Sequence, residues 1–135
     1  MRPGTYVFRD TSGFSTGIYG PDRCAARYLS TAASRPAIDR AVLDAGSKTL
    51  ALDTSGGHPG HGFIVGHPDA IIDRLSEEHG VVALPGGAVG FAVGDQVEII
   101  PNHVCPSVNL HDRMKVVCDG VVVDEWEIAA RGQVQ

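Results

Sequence analysis

The chain has 135 residues, 43% of them hydrophobic, with 17 glycines, eight prolines and a formal net charge of −5. That length fits one domain over residues 1–135 and buries a core without help from metal or disulfides. That charge balance, with only two lysines, Lys48 and Lys115, argues against a nucleic-acid partner, which needs clustered basic residues, and no apolar run reaches the length of a membrane span.

Turn signals recur at short intervals: Ser12-Gly13, Gly20-Pro21, Gly56-Gly57, Pro59-Gly60, Pro85-Gly86-Gly87, Gly94-Asp95 and Asp119-Gly120. Short segments between frequent turns predict an all-β fold, a compact barrel or sandwich with at most short helical turns. Thr5 to Phe8 reads as a short strand. Cys24 to Ser34 is a longer apolar stretch, stopped at Arg35-Pro36. Arg40 to Leu43 and Lys48 to Leu52 are further strand candidates, separated by Asp44-Ala45-Gly46-Ser47. Gly62 to Val65, Val81 to Leu84 and Gln96 to Ile100 follow. Residues 69 to 78 are ambiguous. Asp69 can cap a helix that ends at Gly80, or the same residues can form a strand, and periodicity does not choose. Lys115 to Cys118 and Val121 to Val123 flank Asp119-Gly120, the best hairpin signal in the chain.

Three cysteines, Cys24, Cys105 and Cys118, make an odd count and no disulfide framework. A reducing cytoplasm is the simplest setting. Cys24 and Cys118 sit in apolar runs and read as small buried hydrophobes. Tyr6 reads as a buried strand residue, and Trp126 as core or an interdomain contact.

The stretch Pro101-Asn102-His103-Val104-Cys105-Pro106 carries the most chemistry. Each proline pushes the residue before it toward extended conformations, and in extended chain residues i and i+2 share a side. His103 and Cys105 then point together as one nitrogen and one sulfur donor. That pair suits zinc better than calcium or magnesium, but it does not fill a tetrahedral shell. On spacing alone, such a pair is more often an ordinary strand with a satisfied histidine and a buried thiol than a metal site. His58, His61 and His67 form a second cluster in a Gly/Pro-rich stretch, read as a mobile surface loop with weak metal affinity.

Several stretches in series bear a family resemblance. They are Arg2-Pro3-Gly4-Thr5-Tyr6-Val7-Phe8, Leu43-Asp44-Ala45-Gly46-Ser47-Lys48, Ser76-Glu77-Glu78-His79-Gly80, and the run from Gly94 through Pro106 to Asp112. Together they resemble the C-terminal domain of the D-serine dehydratase and D-threonine aldolase family, over roughly residues 2 to 132. The resemblance implies a two-domain enzyme that uses pyridoxal phosphate (PLP). An alanine-racemase-like barrel carries the cofactor lysine, and a β domain closes the active site and supplies ligands to a divalent metal. It places those ligands at His103 and Cys105, with zinc, or else manganese, as the metal. Aldolase-like members can have Asp at the second position, so Cys105 leans toward the dehydratase branch. The resemblance implies strand for residues 69 to 78. It makes Glu78, His79, His111 and Asp112 candidates for hydrogen bonding around the ligand imidazole.

The barrel, which takes about 250 residues, is absent from this chain. The expectation is therefore an excised piece or a split-gene product, cytoplasmic and without a leader. It would be inactive alone, would bind PLP only through a barrel partner in cis or on another chain, would act on a D-3-hydroxyamino acid, and is a candidate homodimer. Two other readings stay open: a stand-alone β module that binds a partner protein or small ligand, and a self-contained zinc hydrolase.

Overall fold

The computed structural model describes residues 4–54, 57–87 and 89–133. Arg2, Pro3 and Gly56, which belong to stretches noted above, lie outside them. Six antiparallel strands close a barrel in the order β1-β2-β5-β4-β3-β6. They are β1 (Tyr28–Ala37), β2 (Arg40–Leu43), β3 (Phe63–Ile64), β4 (Ile71–Leu75), β5 (Gly80–Ala83) and β6 (Gln96–Ile100). Alternation puts one face of each strand inward. Ala32, Leu43, Ile64, Ile72, Val82 and Ile99 pack there with Leu84 and Phe91, all nearly inaccessible to water. The all-β expectation holds, and residues 71–75 are strand, with a register shift between Ile72 and Arg74.

β1 runs three residues past its expected stop at Ser34. Register shifts on either side of Ser34 let the strand carry Pro36, which has no N–H for a ladder. Two other expected strands are short helical turns. Thr5–Val7 is a 3₁₀ turn closed by the Phe8 N–H donating to Thr5 O, which also accepts the Arg9 N–H at 2.7 Å, and Tyr6 is 69% exposed on it. Ser47–Leu50 is a helix, α2, because two neighbours impose it. The Thr49 and Leu50 N–H groups both turn back to Gly46 O, and the Ser47 and Lys48 N–H groups donate to Ser76 O and Glu77 O. A third short helix, α1, spans Ser12–Ser15.

β7 (Arg113–Cys118) and β8 (Val121–Glu127) form a separate two-stranded sheet. Its turn is the expected one: Asp119 and Gly120 have φ of 50° and 77°, which a type I′ hairpin requires. Cys24 is buried as expected. Cys118 is not, because its hairpin stands clear of the barrel core. Trp126 is likewise outside the core, 51% exposed, with its Nε1–H donating to Asp124. No helix among the described residues is long and apolar enough to cross a membrane.

Candidate metal centre

β6 ends in Ile99 and Ile100, both fully buried, and delivers the chain to Pro101 and Asn102. Asn102 is 2% exposed, and its amide is fully used. Nδ2 donates to Asp53 O at 3.0 Å and to Gly60 O at 2.7 Å, while Oδ1 accepts from Thr11 Oγ1 at 3.1 Å. Thr11 N–H also donates to Pro101 O at 3.2 Å. A buried polar group with no partner costs about 1–3 kcal/mol, so this satisfied amide ties three loops into one arrangement.

His103 follows in extended conformation, φ −140° and ψ 109°. Its ring Nδ1 lies 3.0 Å from Asp53 Oδ1, and among the described residues Nε2 has no partner. Extended chain stops there. Val104–Val108 is a short helix, α3, and this overturns the expectation that His103 and Cys105 share a side through strand alternation. The cause is Asp10, which is 1% exposed. Its Oδ2 accepts the Val104 N–H at 3.0 Å, and its Oδ1 accepts the Ser12 N–H and hydroxyl at 3.1 and 2.5 Å. That carboxylate occupies the first free N–H of the helix. Pro106 is tolerated because N–H groups in a first helical turn have no intrahelical partner to lose.

Cys105 sits in that first turn, exposed, with Sγ 3.6 Å from Thr5 Oγ1. So the two candidate ligands lie on a short, firmly held turn, and both side chains reach solvent. Among the described residues no group of three or more His, Cys, Asp or Glu side chains is placed to hold a metal. By donor chemistry, one imidazole nitrogen and one thiol suit an open site for a borderline cation. They do not fit a closed four-ligand structural site.

The other candidates have other partners. Glu78 and Glu77 both pair with Lys48 Nζ, at 2.8 and 2.9 Å. The hydrogen bond from Lys48 holds the Glu77 carboxyl below its ordinary pKa. His79 is exposed, and its backbone closes a tight turn with Ser76. His111 is half-buried. Its Nε2 donates to Thr49 O at 3.1 Å, and its ring lies over Tyr28 with centroids 5.1 Å apart. Asp112 is exposed and pairs with Arg131 at 3.1 Å.

The His58, His61 and His67 stretch is packed. The His58 ring meets Phe63 edge-on, and the His67 ring meets Phe91. His58 Nε2 and His61 Nδ1 are buried with no hydrogen-bond partner. Burial pushes the His58 pKa below its usual value, against a hydrogen bond from the ring to the Gly62 backbone that raises it. Sequence reasoning missed Asp10 and Asp53, which support the turn from 94 and 50 residues away.

Comparison with known proteins agrees with this architecture. A family model described as "Putative serine dehydratase domain" matches residues 25–117. The D-threonine aldolase of Arthrobacter sp is 39% identical over 134 residues, covering 98% of this chain and 34% of that protein. An uncharacterized protein of Mycobacterium bovis is 42% identical over 109 residues, covering 81% of this chain and 82% of that protein. The crystal structure of D-threonine aldolase from Filomicrobium marinum matches with a TM-score of 0.84 at 30% identity, covering 99% of this chain and 36% of that one. The chain thus spans about a third of the length of the two aldolases and most of the mycobacterial protein. On this sequence and fold, the chain belongs to the D-serine dehydratase and D-threonine aldolase family and corresponds to its C-terminal β domain.

Proposed function

We propose that the chain is the metal-bearing domain of a PLP-dependent lyase for D-3-hydroxyamino acids, and that His103 and Cys105 are its ligands. The observation that carries this reading is the His103–Cys105 turn itself. A buried, fully bonded network of Asp10, Thr11 and Asn102 presents one imidazole nitrogen and one thiol to solvent. Zinc or manganese bound there supplies a Lewis acid for the substrate β-hydroxyl, and PLP bound to a barrel domain supplies the electron sink for the amine end. Two ligands leave coordination positions open for substrate and for groups from the barrel.

This chain's residues hold and orient; they supply no cofactor lysine. Lys48 is paired with Glu77 and Glu78, and Lys115 with Glu125. Cys105 points toward dehydration, where the β-hydroxyl leaves, whereas two of the relatives above are aldolases, which cleave Cα–Cβ. The test is to mix the chain with the separately produced barrel domain of a long relative, with PLP and zinc or manganese, and supply D-threonine. Acetaldehyde with glycine marks an aldolase, and 2-oxobutanoate with ammonia a dehydratase. No turnover with a folded, PLP-loaded barrel contradicts the reading.

A second reading is a β module that works without a barrel in its own chain. The Mycobacterium bovis relative, matched over most of its length, favours it. Failure of the mixing experiment together with retained metal binding supports that reading.

A further inference from the structure

We propose that Asp53 is a positioning residue for this centre. Its carboxylate fixes the His103 imidazole as the Nδ1–H tautomer, so that Nε2 keeps the lone pair, and the buried Asn102 amide holds Asp53 in place to do so. The inference rests on the metal reading of His103 above.

A neutral imidazole has one N–H donor and one acceptor nitrogen, and its surroundings decide which is which. An ionised carboxylate only accepts. At 3.0 Å from Asp53 Oδ1, Nδ1 is therefore the protonated nitrogen. Nε2 is left without a partner among the described residues and is free to bind a cation. The bond is charge-assisted, the stronger kind, and pairs the ring with the Asp53 carboxylate.

The placement of Asp53 is itself built. Asp53 lies in a segment with no regular structure, two residues after Ala51, whose φ is +64°. Left to itself, such a segment would not hold a side chain in one place. Asn102 Nδ2 donates to Asp53 O at 3.0 Å, and Asn102 is the residue next to His103. One fully buried amide therefore fixes the backbone that carries the carboxylate and the backbone that carries the ring. The coupling spans 50 residues of sequence. Metal-bound histidines usually donate their second nitrogen to such a group, and losing the partner weakens metal affinity by about 10–100-fold.

The experiment uses the whole chain with ¹⁵N-labelled histidine. Long-range ¹H–¹⁵N spectra of the metal-free protein are recorded at about pH 9, where an ordinary imidazole is neutral. The expected result is an Nδ1–H His103 in the wild type and predominantly Nε2–H in Asp53→Ala. Asp53→Asn serves as a near-isosteric second variant should Asp53→Ala fold poorly, and it is expected to shift the balance the same way. Zinc competition should show about 10–100-fold weaker binding in Asp53→Ala, and the difference should vanish in a His103→Ala background. An Nε2–H tautomer in the wild type, or one unchanged by both substitutions, overturns the proposal. So does equal zinc affinity in wild type and Asp53→Ala. If the tautomer shifts as expected but no variant binds zinc, the positioning by Asp53 stands and the metal reading fails.

Discussion

The Asp10 carboxylate accepts the Val104 N–H at 3.0 Å across 94 residues of sequence. Through that bond the segment before the barrel supports the helix that carries Cys105. Thr11 adds a second tie to Asn102, and Thr5 reaches the Cys105 sulfur. The family match begins at residue 25, so these supports lie outside it.

Asp10→Ala removes the acceptor for three hydrogen bonds and leaves the Val104 N–H buried without a partner. The expected loss is about 2–4 kcal/mol of folding stability, since bonds to charged groups are worth more than neutral ones and an orphaned N–H adds its own cost. Asp10→Asn, which keeps the shape and one acceptor, should lose less. Urea unfolding of the three proteins checks both the size and the order.

Gly46→Ala tests the packing of α2 against the β4–β5 turn. A Cβ on Gly46 would lie 2.3 Å from Glu77 O and 2.6 Å from Glu78 N, and these are backbone atoms that cannot swing aside. The expected cost is about 1–3 kcal/mol from overpacking, with the Lys48 pairs to Glu77 and Glu78 disturbed. Gly66→Ala is the contrast. Gly66 has φ +80° with nothing within 4 Å, so only backbone strain of about 1 kcal/mol applies. Thermal unfolding should rank Gly46→Ala below Gly66→Ala.

His58 makes stability depend on pH. Burial lowers its folded-state pKa below the unfolded value of about 6.5, so the native state favours the neutral ring. Its contribution is fully present above the unfolded pKa and is lost as pH falls through the folded one. Between about pH 8 and pH 5, the wild type should therefore lose more stability than His58→Gln. Equal losses in both proteins, by urea unfolding at each pH, would remove His58 as the cause.

On the proposed function, the chain alone is expected to bind no PLP and to show no lyase activity, because the cofactor lysine belongs to the barrel domain and Lys48 and Lys115 are exposed surface residues paired with glutamates. Absorbance after adding PLP, followed by borohydride and peptide mass mapping, checks this. Label on a single lysine in stoichiometric yield would contradict it.

Much of the fold was legible because local signals and tertiary structure agree. Asp119-Gly120 needs positive φ at both positions and forms the hairpin. The β-branched runs at residues 81–84 and 96–100 enter β5 and β6. Two of the misses share one physical cause, support from residues distant in sequence. Pro101 and Pro106 favour extended chain, but Asp10 caps Val104 and the chain turns helical. Lys48 to Leu52 has strand-like composition, but backbone contacts from Ser76 and Glu77 wind residues 47–50 into α2. Of the candidate site, His103 and Cys105 were visible as donor types at short spacing. Asp53 was not, because nothing in its own surroundings marks it, and its role comes from Asn102 and His103.

The central claim is that His103 and Cys105 hold one divalent metal, and metal content tests it most directly. Wild type and variants are dialysed against buffered zinc and analysed by mass spectrometry. The account predicts zinc in the wild type, most of it lost in His103→Ala and in Cys105→Ala, and none lost in Cys24→Ala or Cys118→Ala. Cys105→Asp should keep a site but prefer manganese, since a carboxylate is the harder donor. Equal zinc in the wild type and in the His103→Ala, Cys105→Ala double variant would contradict the account and move attention to the buried, unpartnered nitrogens of His58 and His61.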